Sequence, residues 1–179
     1  YLFNARDLCA LPILDKVVAS GVASLKIEGR TRSPYYVAQV VRGYRLALDA
    51  IARGESIPPE AVRAVMDTDS RAWMSGFYTS DDPLPQMLDK ERETALEAEV
   101  VAQFREWDPS GRIRLSVRKR ISEGEELELL TPQGVETFKA TGIVNHRGES
   151  VELIHPGMEN CWVDGARELP IWSFLVRRL

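Results

Sequence analysis

The chain is poor in the residues that small folds use as covalent or metal staples. It has two cysteines, Cys9 and Cys161, and two histidines, His146 and His155, in 179 residues. Two cysteines cannot build a disulfide framework, so a reducing cytoplasm is the expected compartment. Neither histidine has a Cys pair near it, which excludes zinc-finger spacing. Both also fall late in the chain, leaving little raw material for a Ser-His-Asp or Cys-His device. No Gly-rich phosphate loop, HExxH helix or CxxC pair occurs. Apolar runs are only a few residues long, so no membrane-spanning segment is expected, and no basic-then-apolar leader suggests export. Internal repeats and low-complexity tracts are missing too. What remains is ordinary globular composition, 44% hydrophobic and 28% charged. The sequence begins at Tyr1, inside an apolar run, and reads as a piece of a longer protein.

Charge is unevenly spread. Residues 1–53 carry a net +4, residues 54–99 a net −7 and residues 100–179 a net −1. A basic first segment permits a local anion or phosphate site, while the acidic stretch beside it opposes global steering of nucleic acid.

The first four residues read as the end of a buried strand. Asp7 is a candidate N-cap for a helix over 8–20, with Leu11, Leu14, Val17 and Val18 on one face and Gly21 as the stop. Pro12 is awkward inside that helix unless it sits in the first turn. Residues 22–28 alternate and predict a strand, Leu25 and Ile27 facing one way and Ser24, Lys26 and Glu28 the other. The next helix is the clearest element: Ser33 as N-cap, Pro34 at the first helical position and Gly54 at the end. Val37, Val41, Tyr44, Leu48 and Ile51 predict its buried stripe, with Tyr35 and Tyr36 as packing residues. Strand–helix–strand–helix is the grammar of a parallel α/β sheet, about two units of a β/α barrel.

Residues 55–98 are acidic and interrupted by Pro58, Pro59, Pro83 and Pro85. They predict a connector with short helices near 60–66 and 85–88. From residue 99 the period changes to two, most cleanly over 112–118. Strands are expected at 99–105, 112–118, 125–130, 135–144, 150–155 and 172–178, forming a small closed or nearly closed antiparallel barrel. The fold class is therefore the C-terminal portion of a TIM-like β/α barrel (1–54), a connector (55–98) and a small β-barrel (99–179).

In a βα unit ligands bind at the carboxyl ends of the strands. That rule places Cys9 and the run Glu28-Gly29-Arg30 at one rim. Lys26 and Glu28 would point inward, as an ion pair filling the barrel or as contacts to substrate. Gly29 would allow a sharp turn or close backbone approach. Arg30 and Arg32, just ahead of the helix at Pro34, make a candidate anion site or a solvated surface. Arg42 and Arg45 read as solvated, and the alternating Arg112, Arg114 and Arg118 as an exposed strand face. Cys161, beside Trp162, reads as inert.

The runs Tyr1–Cys9, Ser24–Arg30 and Ser33–Arg45 together closely resemble the collagenase-like peptidases of family U32, with Ser75-Gly76-Phe77-Tyr78 similar to a later turn of that family. The remainder of the chain, with its β-barrel over 99–179, resembles more loosely the family's C-terminal β-barrel. The resemblance implies a longer parent protein. Members related to prephenate-dependent RNA hydroxylases hold a four-iron four-sulfur cluster on four cysteines, of which the fourth matches Cys9. It further implies that Arg30, Arg32 and Gly29 bind a carboxylate-rich donor such as prephenate, that Glu28 and Lys26 stand at the catalytic rim, and that tRNA or rRNA is the substrate. Thr31-Arg32, where Met-Lys is common, and Pro12 are departures. Two other readings stay open: a peptidase working through Glu28, and a non-catalytic module binding RNA or protein. One thiolate cannot hold a cluster, so this chain alone is expected to be inactive. Two βα units cannot close a barrel, so apolar faces around Phe3, Leu25 and Val41 should be exposed and available to a second copy.

Overall fold

The computed structural model describes residues 6–68, 73–79 and 97–179. The chain divides into two units, residues 1–96 and 97–179.

In the first unit, β1 (Asp7–Leu8) pairs in parallel with β2 (Trp73–Met74), Asp7 opposite Trp73 and Leu8 opposite Met74. Asp7 is therefore a strand residue and not the expected N-cap. The chain enters its first helix through a 3-10 turn, Leu11–Ile13, that holds Pro12 where its missing N–H costs nothing, and α1 (Leu14–Ala19) follows. Gly21, at φ +80°, ends it as anticipated.

Residues 22–28 form no ladder with any described residue and turn through a bend at Ala23, so the expected strand is not realised. A parallel strand is held by hydrogen bonds to neighbours on its edges, and none of the described residues provides one here. The barrel-fragment expectation thus reduces to a two-stranded parallel pair with helices. The expected strand end at 1–4 and short helix near 85–88 lie outside the described residues.

Helix α2 (Pro34–Ala52) begins as read: the Ser33 hydroxyl accepts the Tyr36 N–H at 3.1 Å, with Pro34 in the first turn. Its buried face is offset from the expected stripe, of which Tyr44, Leu48 and Ile51 pack half-buried against the core. Tyr36, Val40, Gly43, Ala47 and Ala50 are buried, whereas Val37 and Val41 are 36% and 47% exposed. The cause is α3 (Pro59–Met66), which packs against α2 through Ala61, Ala64 and Val65. A Cβ on Gly43 would stand 2.7 Å from the Ala61 carbonyl oxygen, so only glycine lets the helices approach this closely. The predicted connector therefore contributes to the core, a cluster of Cys9, Leu11, Leu14, Ala47, Ala61 and Val65. Leu25, Val41, Leu8 and Val22 are exposed, as expected for the first two; Phe3 lies outside the described residues.

The second unit is antiparallel throughout. Its strands are β3 (Ala98–Asp108), β4 (Arg112–Val117), β5 (Ile121–Ser122), β6 (Glu126–Thr131), β7 (Gly134–Lys139), β8 (Leu153–Ile154), β9 (Cys161–Asp164) and β10 (Phe174–Arg178). Six form one sheet in the order β7-β6-β10-β3-β4-β9, and β5 pairs with β8. The expected strand over 135–144 breaks after Lys139. Ala140 still exchanges hydrogen bonds with Gly124 and Glu125 beside β6, but Thr141 and Val144 bond to Asp164 and Trp162 of β9. Gly142, at φ +62°, makes the bend, and residues 140–144 thereby link the two edges of the sheet. Inside lie Val101, Ile113, Ile121, Ile143, Ile154, Cys161, Val163 and Leu175. No helix among the described residues is long and apolar enough to cross a membrane.

Candidate functional site

A cleft of about 530 Å³ opens in the first unit, within the size range of small-molecule sites. Its lining joins three stretches: Asp7 and Leu8 from β1, residues 26–32, and Tyr36 and Tyr44 from α2, with Trp73 of β2 completing the wall. Four of the expected site residues, Lys26, Glu28, Arg30 and Arg32, are thus brought to one cleft.

Their individual states differ from expectation. Lys26 and Glu28 are both exposed and form no ion pair with each other; the Glu28 carboxylate instead accepts the Arg30 backbone N–H at 3.0 Å. Arg32 is ion-paired with Asp7, and its guanidinium sits 5.0 Å from the centre of the Tyr36 ring. Its charge is therefore largely satisfied. Lys26 and Arg30 pair with no carboxylate among the described residues, and they are the cations with charge to offer a ligand. Gly29 does not take up a left-handed backbone. A Cβ there would fall 2.7 Å from Val37 Cγ2, so its small size serves packing of the loop on α2.

The aromatic wall was not anticipated. Tyr36 and Trp73 stack with ring centres 6.5 Å apart and 16° between planes. Burial, then the Asp7 charge, raises the Tyr36 phenol above its ordinary range against the lowering effect of Arg32. Tyr36 was read only as a packing residue, and Trp73 sits 66 positions after Asp7 in the sequence, with no local pattern announcing that the two strands pair.

Cys9 does not stand in this cleft. It is 3% exposed and belongs to the apolar cluster of the first unit. Its backbone N–H donates to the Met74 carbonyl at 2.8 Å. Tyr44, which does line the cleft, connects the two: its hydroxyl accepts the Ala10 N–H at 2.8 Å and donates towards Cys9 Sγ at 4.0 Å. Burial, then the neighbouring Cys9, pushes the Tyr44 phenol up to about 12, so it remains a proton-bearing donor at neutral pH. The described residues contain no group of three or more His, Cys, Asp or Glu able to hold a metal ion. A four-iron cluster takes four ligands, and this set does not fit one.

In the second unit Cys161 is fully buried, and burial raises its thiol above the ordinary value, in keeping with an unreactive role. Arg114 pairs with Glu106 at 2.7 Å, and Arg112 donates to the Gly142 carbonyl at 3.3 Å. Arg42 and Arg45 pair with Glu60 and Asp49 on the helical surface.

Comparison with known proteins places both units. Residues 1–87 match the family model described as Peptidase family U32, and residues 97–173 match that of the Peptidase family U32 C-terminal domain. The chain is 29% identical over 181 residues, 99% of its length, to tRNA hydroxylation protein P of Escherichia coli (strain K12), and covers 40% of that protein. It is 31% identical over 156 residues, 85% of its length, to the Haemophilus influenzae protein of the same name, of which it covers 34%. A Porphyromonas gingivalis protein named Collagenase is 39% identical over 82 residues, 44% of this chain and 20% of that protein. The crystal structure of the C-terminal domain of a Geobacillus thermoleovorans protein assigned to the U32 peptidases aligns at 18% identity and a TM-score of 0.39, over 45% of this chain and 92% of that one.

Proposed function

Because the chain belongs to peptidase family U32, we propose that it is part of an RNA hydroxylation enzyme acting on tRNA, with the cleft at Lys26 and Arg30 receiving a carboxylate-bearing small molecule such as prephenate. The observation that carries this reading is similarity to tRNA hydroxylation protein P across nearly the whole chain. The cleft is compatible with it. Two cations without carboxylate partners face an aromatic wall, which suits an anion attached to a flat ring. Arg32, held by Asp7 and laid over Tyr36, fixes the wall; it is not a third free anion receptor.

The chain spans 40% of the length of its Escherichia coli relative, so the activity is assigned to the complete gene product. Should Cys9 ligate an iron–sulfur cluster in the complete protein, three ligands must come from outside the described residues, and Cys9 must emerge from its apolar surroundings. Iron and acid-labile sulfide assays on anaerobically purified complete protein decide that point.

The carboxylate site is tested by kinetics of the complete protein with prephenate as donor. Arg30→Gln is expected to raise KM for the donor by about tenfold or more, with a smaller effect on kcat. An unchanged KM would remove Arg30 from the donor site.

The match to a protein named Collagenase keeps peptidase activity as a second reading. The cleft lacks a nucleophile–base pair among the described residues, because Cys9 is buried beside Tyr44 and Glu28 faces the Arg30 amide. Peptide cleavage that persists unaltered in Glu28→Gln would eliminate a Glu28 mechanism.

A further inference from the structure

The turn leading into β10 holds a tryptophan where the backbone asks for glycine. The Ser173 N–H donates to the Pro170 carbonyl at 3.1 Å, closing a four-residue turn whose third residue, Trp172, has φ +71°. A positive φ at that position is the mark of a type II turn, for which glycine or asparagine is the unstrained choice. A bulky residue there is an outlier that the surroundings must enforce. They do: Ser173 is fully buried, its hydroxyl donates to the Pro170 carbonyl at 2.7 Å, and its carbonyl accepts the Phe104 N–H at 3.0 Å.

Folding gains little from the indole. Trp172 is 55% exposed and Ile171 beside it 73% exposed. The β10–β3 ladder begins with Phe174 opposite Gln103, two residues after Trp172 and two before Arg105, so both flank the same end of that ladder; Arg105 is the extra residue where the β3–β4 register shifts between Phe104 and Glu106. Arg105 is exposed, donates only to the Ser116 hydroxyl at 3.3 Å, and pairs with no carboxylate among the described residues. Arg114, Lys119, Arg167, Arg177 and Arg178 of the same unit carry carboxylate partners, so their charge is already committed, whereas that of Arg105 is open to a ligand.

We propose that Trp172 and Arg105 form a single-stranded RNA contact: an unpaired base stacks on the indole and the guanidinium meets a neighbouring phosphate. Stacking platforms of this kind tolerate any base and take their affinity from the aromatic face plus backbone charge. The inference rests on the RNA reading above and names a surface of the second unit that would hold that substrate.

The test uses the full 179-residue chain and a short fluorescein-labelled single-stranded RNA of mixed sequence, read by anisotropy over a salt series, with a duplex as control. Trp172→Gly relieves the strained φ, so its melting temperature should stay at or above that of the parent while RNA affinity falls roughly tenfold. Trp172→Phe should keep most of the affinity. Arg105→Gln should lower the slope of log K against log salt by roughly 0.7, one phosphate contact on a single strand. RNA binding that ignores Trp172→Gly, or absence of RNA binding by the parent chain, would overturn the proposal. So would a Trp172→Gly variant that loses self-association with RNA affinity unchanged, since the tip would then be a contact between copies. If the complete protein fails to hydroxylate tRNA yet Trp172→Gly still weakens RNA binding, the platform stands and the enzymatic reading falls. If hydroxylation proceeds while binding is indifferent to Trp172, the platform falls alone.

Discussion

Tyr44 shows how one side chain ties the cleft to the core of the first unit. Its hydroxyl satisfies the Ala10 N–H and points towards Cys9, while its ring lines the cleft. Tyr44→Phe removes the acceptor and leaves the part-buried Ala10 N–H without it, so we expect a loss of about 1–2 kcal/mol in chemical denaturation. In the second unit Arg177 plays the corresponding part. It reaches Glu99 at 2.5 Å and Glu125 at 2.7 Å, and also donates to the Arg120 carbonyl. Burial opposes ionisation of Glu125, yet hydrogen bonds from Arg177 and the Ser122 N–H, with the Arg177 charge, hold its carboxyl below the ordinary value. Its contribution to stability is therefore complete above the ordinary value of 4.5 and drains away as pH falls through the lower folded value. Arg177→Met leaves two partly buried carboxylates without this partner and should cost about 1–2 kcal/mol at neutral pH. The cost should shrink on acidification, as the Glu125 carboxylate takes up its proton. A cost that is flat from pH 7 to pH 3 would contradict the assignment.

Among the elements, α2 separates what the sequence announces from what it conceals. Ser33-Pro34 and Gly54 are local signals, and the helix starts and stops where they say. Which face it buries depends on α3, a partner that composition presents as part of an acidic connector. The α2–α3 contact is made by Gly43 with Ala61, Ala64 and Val65, small residues that add little to an apolar stripe; Tyr44, Leu48 and Ile51 of the expected stripe do pack against the core, while Val37 and Val41 do not. Gly43→Ala is a direct check. Helix propensity favours alanine by about 1 kcal/mol, but the new Cβ would meet the Ala61 carbonyl and Val65 at 2.7 Å. Overpacking against backbone should win, for a net loss of about 1–2 kcal/mol. A stabilised variant would mean that the helices have room to part. The strands of the second unit were legible wherever they alternate, as in 112–117. β9 was not, because Asn160 (φ 53°) and the bend at Gly142 direct its pairing from outside the strand.

At the scale of the whole molecule, family membership was readable because it lies in three long runs of residues, whereas the site was only half readable. Lys26, Glu28, Arg30 and Arg32 do meet in one cleft. Asp7 and Trp73, which complete the cleft, are brought together by a parallel pairing between distant dipeptides that no local pattern encodes. Cys9 was placed at the same rim by the rule for strand ends, and the apolar surroundings of α1, α2 and α3 claim it instead. The account's central claim, that this chain belongs to an enzyme hydroxylating tRNA, is tested most directly by mass spectrometry of tRNA nucleosides. Cells carrying the complete gene product should yield a tRNA nucleoside one oxygen atom heavier than its counterpart in cells lacking the gene, and Arg30→Gln should diminish it. Identical nucleoside profiles with and without the gene would contradict the claim.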